Sequence, residues 1–449
     1  MLRFSMESLV RWKDKTDRKP LILRGARQVG KTWLLKEFGK NHFKAYHHFD
    51  FERNTQQLFA VFQGELNPRT IIRNLALLEN KPIDVEHDLV IFDEIQNVPE
   101  ALTSLKYFSE EMPQLTLCTA GSLLGMTLSD VSFPVGKVEF LNLYPMNFEE
   151  FLYNYGNSLL FEAYHEGYKK LRVLDVVHTR LLEVLKEYYV IGGMPEMVDT
   201  YLREKERNPN AFQTVRKKQQ DLLNTLKADF SKHSGKVNAL RIASVYENVP
   251  MQLAQYTDTS VKRFRFRNVV KGKKGYSELY GPIAWLENAH LIIKVFVANR
   301  AEIPLSAFSK ENFFKLYLND IGLLGAILDI PPSAIILSNY GMTKGYFIEN
   351  YAATELRTAL EAPLFSWTER NSEIEFLLVI EDRIIPVEVK SGTRTRAKSL
   401  QQYIKKYQPP WAFILSEKNF FVKDNKYYIP LYYTGKLKEM DLHKRAVNK

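Results

Sequence analysis

Apolar residues change their spacing along this chain, and each change marks a different kind of element. In the first third they form short unbroken runs that stop at small or polar residues: Pro20 to Leu23, Leu89 to Phe92, and "LTLCTAGS" at 115–122. Runs of this length, bounded by turn signals, predict buried strands. After the first, Trp33, Leu34, Leu35 and Phe38 recur at helical spacing and give a helix its apolar face. From about Phe148 to Ser234 the pattern is helical, rich in Leu, Tyr, Glu and Lys, and broken by the glycine turn "IGGMPE" at 191–196. "NALRIASVYENVPMQLAQ" then predicts two short helices around a proline, and "YSELYGPIAWLENAHLIIKVFVA" a helix running into a strand. Residues 311–330, "ENFFKLYLNDIGLLGAILDI", predict a further helix before "DIPPSA" punctuates the chain. Over 346–430 the order becomes helix, three strands ("LFSWTE", "EIEFLLVIED", "RIIPVEVKSG"), helix and strand.

The first strand and helix enclose Gly25-Ala26-Arg27-Gln28-Val29-Gly30-Lys31-Thr32, which fits the phosphate-binding pattern G-x-x-x-x-G-K-[ST] in its required context. Glycines let backbone N–H groups approach phosphates at the positive end of a helix. Lys31 is expected to reach the β- and γ-phosphates of ATP, and the Thr32 hydroxyl to ligate Mg²⁺. Such a loop calls for an acid at the end of another buried strand, and "HDLVIFDEIQ" supplies Asp93 for the metal and Glu94 for the attacking water. Ser122, or failing it Thr119, could sense the γ-phosphate; the alternative is a plain strand-to-loop turn. Arg27 and Lys137 are further candidates for contacting nucleotide or a neighbouring subunit. Adjacent strand residues face opposite ways, so His47 and His48 read as surface histidines and not as a metal site.

Composition narrows the setting. With 449 residues, 45% apolar and 25% charged, the chain suits two to four globular domains. Cys118 is its one cysteine, so no internal disulfide and no cysteine-rich zinc site can form, and a reducing cytoplasm is the expected compartment. No long uncharged apolar span suggests a membrane, and "MLRFSMESLVRWK" lacks the apolar run of a signal peptide. A net charge of +10 favours an anionic partner, nucleic acid first. The concentrated part is 262–274, where Arg263, Arg265 and Arg267 alternate with Phe264 and Phe266 before Lys271, Lys273 and Lys274. A strand would put those arginines on one face for phosphate contacts. A solvated basic hairpin with phenylalanines in the core explains the same residues.

"GARQVGKT", "LVIFDEIQ", "TAGSLLG", "FPVGKVEFLNLYPMNFEEFL", "YYVIGGMPEMV" and "IIPVEVKSG", in that order, resemble a large prokaryotic family of predicted AAA-type ATPases. The resemblance implies an α/β architecture with a P-loop AAA-type ATPase domain at 1–150. Between, the helical run reads as a lid segment at 151–235 and the element order at 236–305 resembles a winged helix, while the family resemblance implies the C-terminal domain at 306–449. The core of the last, about 340–430, would have a restriction-endonuclease-like fold, whose sites use an acid on one strand and an acid-x-lysine pair on the next. Mapped here these are Glu375, Glu388 and Lys390, with Glu349 on the preceding helix as a possible extra ligand. Glu375 stands where aspartate is usual, and its longer side chain moves the carboxylate against a magnesium ion that wants near-ideal geometry. An active nuclease, an inactive nuclease fold kept for binding, and a purely structural strand all stay open. The expected function is a Mg²⁺-dependent ATPase coupled to a nucleic-acid-binding or nuclease-like domain. Its alternatives are a nucleotide-gated docking switch and an ATPase aimed at another protein; a homo-oligomer is compatible with each.

Overall fold

The computed structural model of the chain describes residues 1–121, 133–255, 263–341, 343–392 and 398–440. Two compact units emerge, residues 2–144 with 288–290, and residues 145–287 with the chain from 291 onward. Among the described residues, no helix is long and apolar enough to cross a membrane.

The first unit is built on strands β1 (Leu21–Arg24), β2 (Ala45–Asp50), β3 (Asp88–Asp93), β4 (Thr116–Ala120) and β5 (Glu139–Asn142), in the order β2-β3-β4-β1-β5. All the pairings are parallel. Every residue of β3 and β4 is buried, as expected of a parallel sheet covered on both faces. On one face Ile22, Val90, Phe92 and Leu117 pack with Phe49, Phe51, Leu75, Leu102 and Leu105. The helix Lys31–His42 buries Leu34, Leu35 and Phe38, while Trp33 stays exposed. Register places Asp93 beside Ala120 and Leu23 beside Ala120, so the carboxyl ends of β1, β3 and β4 share one edge of the sheet. That edge is where open α/β sheets bind ligands.

The second unit opens with the helices Phe148–Asn154, Ser158–Lys170, Asp175–Ile191, Pro195–Glu204 and Ala211–Gln255. Asn147 and Glu150 form a reciprocal cap on the first of these. The turn "GGMPE" is fixed by close backbone approach. A Cβ on Gly193 would stand 2.0 Å from the Met146 carbonyl oxygen, and one on Gly192, whose φ is 75°, would stand 2.3 Å from Asp320 Oδ1. In their place the Met146 amide donates to the Gly193 carbonyl (2.7 Å) and the Gly193 amide donates to Asp320 Oδ2 (2.6 Å). The "PMNFEEF" and "GGMPE" stretches are thus two halves of one joint.

The unit's sheet comprises β6 (Ile292–Ala298), β7 (Ser309–Leu318), β8 (Leu364–Glu369), β9 (Ser372–Ile380), β10 (Arg383–Val389), β11 (Ala412–Ser416), β12 (Phe421–Lys423) and β13 (Lys426–Pro430). Its order is β12-β13-β11-β10-β9-β8-β6-β7, with β6–β8, β10–β11 and β11–β13 parallel and the rest antiparallel. The helix Thr343–Leu360 packs against it.

Three local expectations are corrected. Residues 311–318 are strand, not helix, because a short apolar run buried on both faces has no period that separates the two. Pro250 lies inside one helix rather than between two, and buried Ile242, Val245, Tyr246 and Val249 anchor the turns that lead up to it. The break comes earlier, at Gly235 (φ 73°, ψ 155°). Residues 263–266 form no strand, and the Phe264 amide donates to the Phe314 carbonyl of β7 (2.8 Å).

Candidate functional site

Gly25 to Gly30 turn between β1 and the helix Lys31–His42, with Ala26 and Val29 buried, Arg27 half-buried and Gln28 exposed. Gly30 caps the helix at φ 94°, a left-handed conformation that glycine adopts at little cost. Lys31 is folded back into this turn and only 7% exposed. Its ammonium donates to the carbonyls of Gly25 (2.8 Å) and Ala26 (2.9 Å). Burial pulls its pKa down to about 8, against the opposing pull of Glu94 and Asp93.

Across the sheet edge, Thr32 Oγ1 donates to Asp93 Oδ2 at 2.8 Å. The two groups expected to share a magnesium ion therefore already touch, although 61 positions separate them. Asp93 Oδ1 is buried without a hydrogen-bond partner, an oxygen left over for a hard cation. Burial would raise the Asp93 pKa, but hydrogen bonds from His48 and Thr32 and the charge of Lys31 leave it below the usual carboxylate value. Hydroxyl, carboxylate and ammonium fit a Mg²⁺-nucleotide. Glu94 follows at φ 50°, and its Oε2 accepts from Gln96 Nε2 at 2.5 Å, so the carboxylate expected to orient water is held by a neighbour.

The paired histidines were expected at the surface, and the structure corrects this. His47 is fully buried between Glu79 Oε2 (2.5 Å) and Asp88 Oδ2 (3.1 Å). His48 Nε2 lies 3.0 Å from Asp93 Oδ2, which sets it beside the candidate nucleotide site. Only the pairing of β2 with β3, which sets His48 near Asp93, reveals this. Thr119 is buried in β4 with an unpartnered hydroxyl. Lys137 pairs with Glu110 at 2.9 Å. Ser122 lies outside the described residues.

The second unit gathers the other predicted group. One step beyond the Val387–Phe376 pair, register brings Glu375 opposite Glu388. Glu375 Oε2 accepts from the Val389 amide (3.2 Å), and Glu388 Oε1 pairs with Lys390. Glu388 Oε2 is buried without a hydrogen-bond partner. Burial, then the charge of Glu388, pushes the Glu375 pKa up to about 8; burial also raises that of Glu388, against Lys390. Glu349 does reach this face, but it is held elsewhere. Its Oε1 accepts from Lys315 Nζ (3.0 Å) and from the Tyr317 hydroxyl (2.5 Å), and Lys315 also pairs with Glu373. Lys315 is 1% exposed, and although burial opposes its charge, Glu349 and Glu373 outweigh it and raise its pKa. Lys315 and Tyr317 escaped sequence reasoning because β7 read as helix, and Glu373, on β9, because its partner Lys315 was not placed beside it. Among the described residues no three His, Cys, Asp or Glu side chains form a metal-holding group. The cluster's compensating positive charge comes from lysines.

With this geometry in hand, comparison with known proteins divides the chain. Residues 17–152 match the family described as AAA domain. Residues 182–334 match a domain of unknown function (DUF8612), and residues 344–434 another (DUF4143). No curated protein matches the chain. Similar solved structures include the ORC1 protein of Aeropyrum pernix in complex with DNA, at 11% identity over 74% of this chain and 94% of that one, with a TM-score of 0.31. AMPPCP-bound DnaA from Aquifex aeolicus is similar at 14% identity over 64% and 87%, with a TM-score of 0.30. Likeness at these scores supports nothing about this chain's own partners. The N-terminal region is an AAA-type ATPase domain with the parallel sheet typical of P-loop NTPases.

Proposed function

We propose that the protein is a Mg²⁺-dependent ATPase whose nucleotide cycle is coupled to a nucleic-acid-binding second unit. The observation that carries this reading is the contact of Thr32 with Asp93 beside the buried ammonium of Lys31. In use, Lys31 exchanges its two loop carbonyls for phosphate oxygens and stabilises the transferred charge. Thr32 and Asp93 would hold magnesium, which supplies further neutralisation of the phosphates when bound. Glu94, released from Gln96, orients and deprotonates the attacking water. Purified protein should turn over ATP, and Lys31→Ala should abolish it; wild-type turnover no higher than that of the variant would sink the assignment.

For the C-terminal part we retain the restriction-endonuclease-like reading, with Glu375, Glu388 and Lys390 as its site and winged-helix-like character for the segment before it. A second reading, in which this site binds without cleaving, is favoured by one observation. Lys315 and Tyr317 already occupy Glu349, the carboxylate that would complete a metal site. Incubation with DNA and RNA in Mg²⁺ or Mn²⁺ separates the two. Cleavage that survives Glu94→Gln but not Lys390→Ala would establish an independent nuclease, whereas absence of cleavage supports the binding reading.

A further inference from the structure

The far edge of the eight-stranded sheet carries a groove that neither the nucleotide site nor the carboxylate cluster uses. Residues 263–267 run beside the edge strand β7 and sort themselves by side. Phe264 is buried, its ring stacked 6.4 Å from that of Phe314, and Phe266 packs on Phe314 (5.8 Å) and Tyr276 (5.5 Å). The arginines between them are exposed. This segment, the start of β7 and the ends of β6 and β8 enclose a groove of about 700 Å³.

Its lining has one sign of charge. Arg263, Arg265, Arg267, Lys274 and Lys310 contribute five cations, and no carboxylate lies among the described lining residues. The lining also holds the half-buried rings of Phe266, Phe308 and Phe313, the last with the Arg263 guanidinium 5.1 Å from its centroid, and the exposed side-chain amides of Asn299 and Asn312. Cations on a rim recruit any polyanion, but the rings discriminate. A duplex keeps its bases stacked on one another and offers phosphates alone, and an acidic peptide leaves the rings without flat partners. A single strand supplies both: phosphates for the lysines and arginines, and splayed bases to lie on the phenylalanines.

We propose that this groove binds single-stranded nucleic acid, an inference that rests on the nucleic-acid reading above and narrows it. The test uses the full chain and fluorescence anisotropy with labelled oligo-dT, oligo-U and duplex DNA of about 12 units, a length within known single-strand site sizes. Single strands should bind more tightly than the duplex, and comparison of oligo-dT with oligo-U tells DNA from RNA. If each cation meets one phosphate, the plot of log affinity against log salt should have a slope of about −3 to −4. Lys310→Gln, at an exposed position, should flatten it by about 0.7. The double change Phe308→Leu and Phe313→Leu, checked for folding by its melting temperature, should weaken single-strand binding by about 5- to 100-fold and leave duplex binding unchanged. Salt-sensitive binding with equal affinity for duplex and single strand, or an unchanged slope in Lys310→Gln, overturns the groove while the broader nucleic-acid reading stands. No binding to any nucleic acid, or binding of poly-glutamate in its stead, overturns both.

Discussion

Glu355 offers the sharpest quantitative test of how the second unit is held together. It sits on the helix Thr343–Leu360, 3% exposed, and its Oε1 accepts from the amide of Phe148, the first residue of another helix (2.9 Å). Burial, reinforced by the nearby charges of Glu149 and Glu150, pushes its pKa from 4.5 up to about 8; the Phe148 amide and Lys436 pull the other way and lose. The sign follows from proton counting. Between pH 4.5 and about 8 the unfolded chain has released this proton and the folded chain has kept it. Stability is therefore fully present below the lower value and falls as pH rises through the upper one, at about 1.4 kcal/mol per pH unit. Glu355→Gln keeps a carbonyl oxygen for Phe148 and cannot ionise. Between pH 6 and 9 the variant should gain about 2–3 kcal/mol relative to wild type, which is about 5 °C in melting temperature for a unit of this size. The assay is a series of thermal melts across that range, following the transition of the second unit. A difference between the two proteins that stays constant with pH would refute the reasoning, because it would mean that Glu355 is already ionised in the folded state.

Two further outcomes are expected. His48→Ala removes a hydrogen bond from Asp93 and should raise the Mg²⁺ concentration needed for half-maximal binding of a fluorescent ATP analogue by about tenfold, given about 1.5 kcal/mol for a bond to a charged group; an unchanged Mg²⁺ titration would show that His48 is a bystander. Lys315→Met leaves Glu349 and Glu373 buried without their cation and should cost about 3–5 kcal/mol, read from the urea midpoint of the second unit. A midpoint at the wild-type value would mean that Glu349 and Glu373 take up protons readily in the folded state.

The pieces of the candidate nucleotide site stand out in the sequence because they are local. Eight consecutive residues make the loop, and Asp93 and Glu94 end an apolar run whose shortness and polar flanks favour a strand. What escaped depends on which strands lie side by side. His48 matters because β2 neighbours β3, and Lys315 because β7 closes the far edge of a sheet six of whose strands come later in the chain. No pattern in one strand reports its neighbour. In the basic stretch, alternation correctly sorted phenylalanines inward and arginines outward, yet the segment makes one backbone bond to β7 and is no strand. "GGMPE" read as a turn, but the reason for its two glycines, contact with Met146 and Asp320, lies 47 residues upstream and 127 downstream of Gly193.

The pairing of β6 with β8 bears on how such a chain can be inherited or cut. The region matched as 344–434 contains β8 but not β6, which is the parallel partner of Leu364 to Trp367 on one side of it. Excised alone, that region would expose an open row of amides and carbonyls, the template for intermolecular pairing. It would also part Glu349 from Lys315, and Glu355 from Phe148. Its last helical turn would lose Tyr164, whose carbonyl takes the hydroxyl of Tyr433. Regions 182–334 and 344–434 therefore share one sheet and the ion pair of Lys315 with Glu349, and a clone of the second region alone should aggregate.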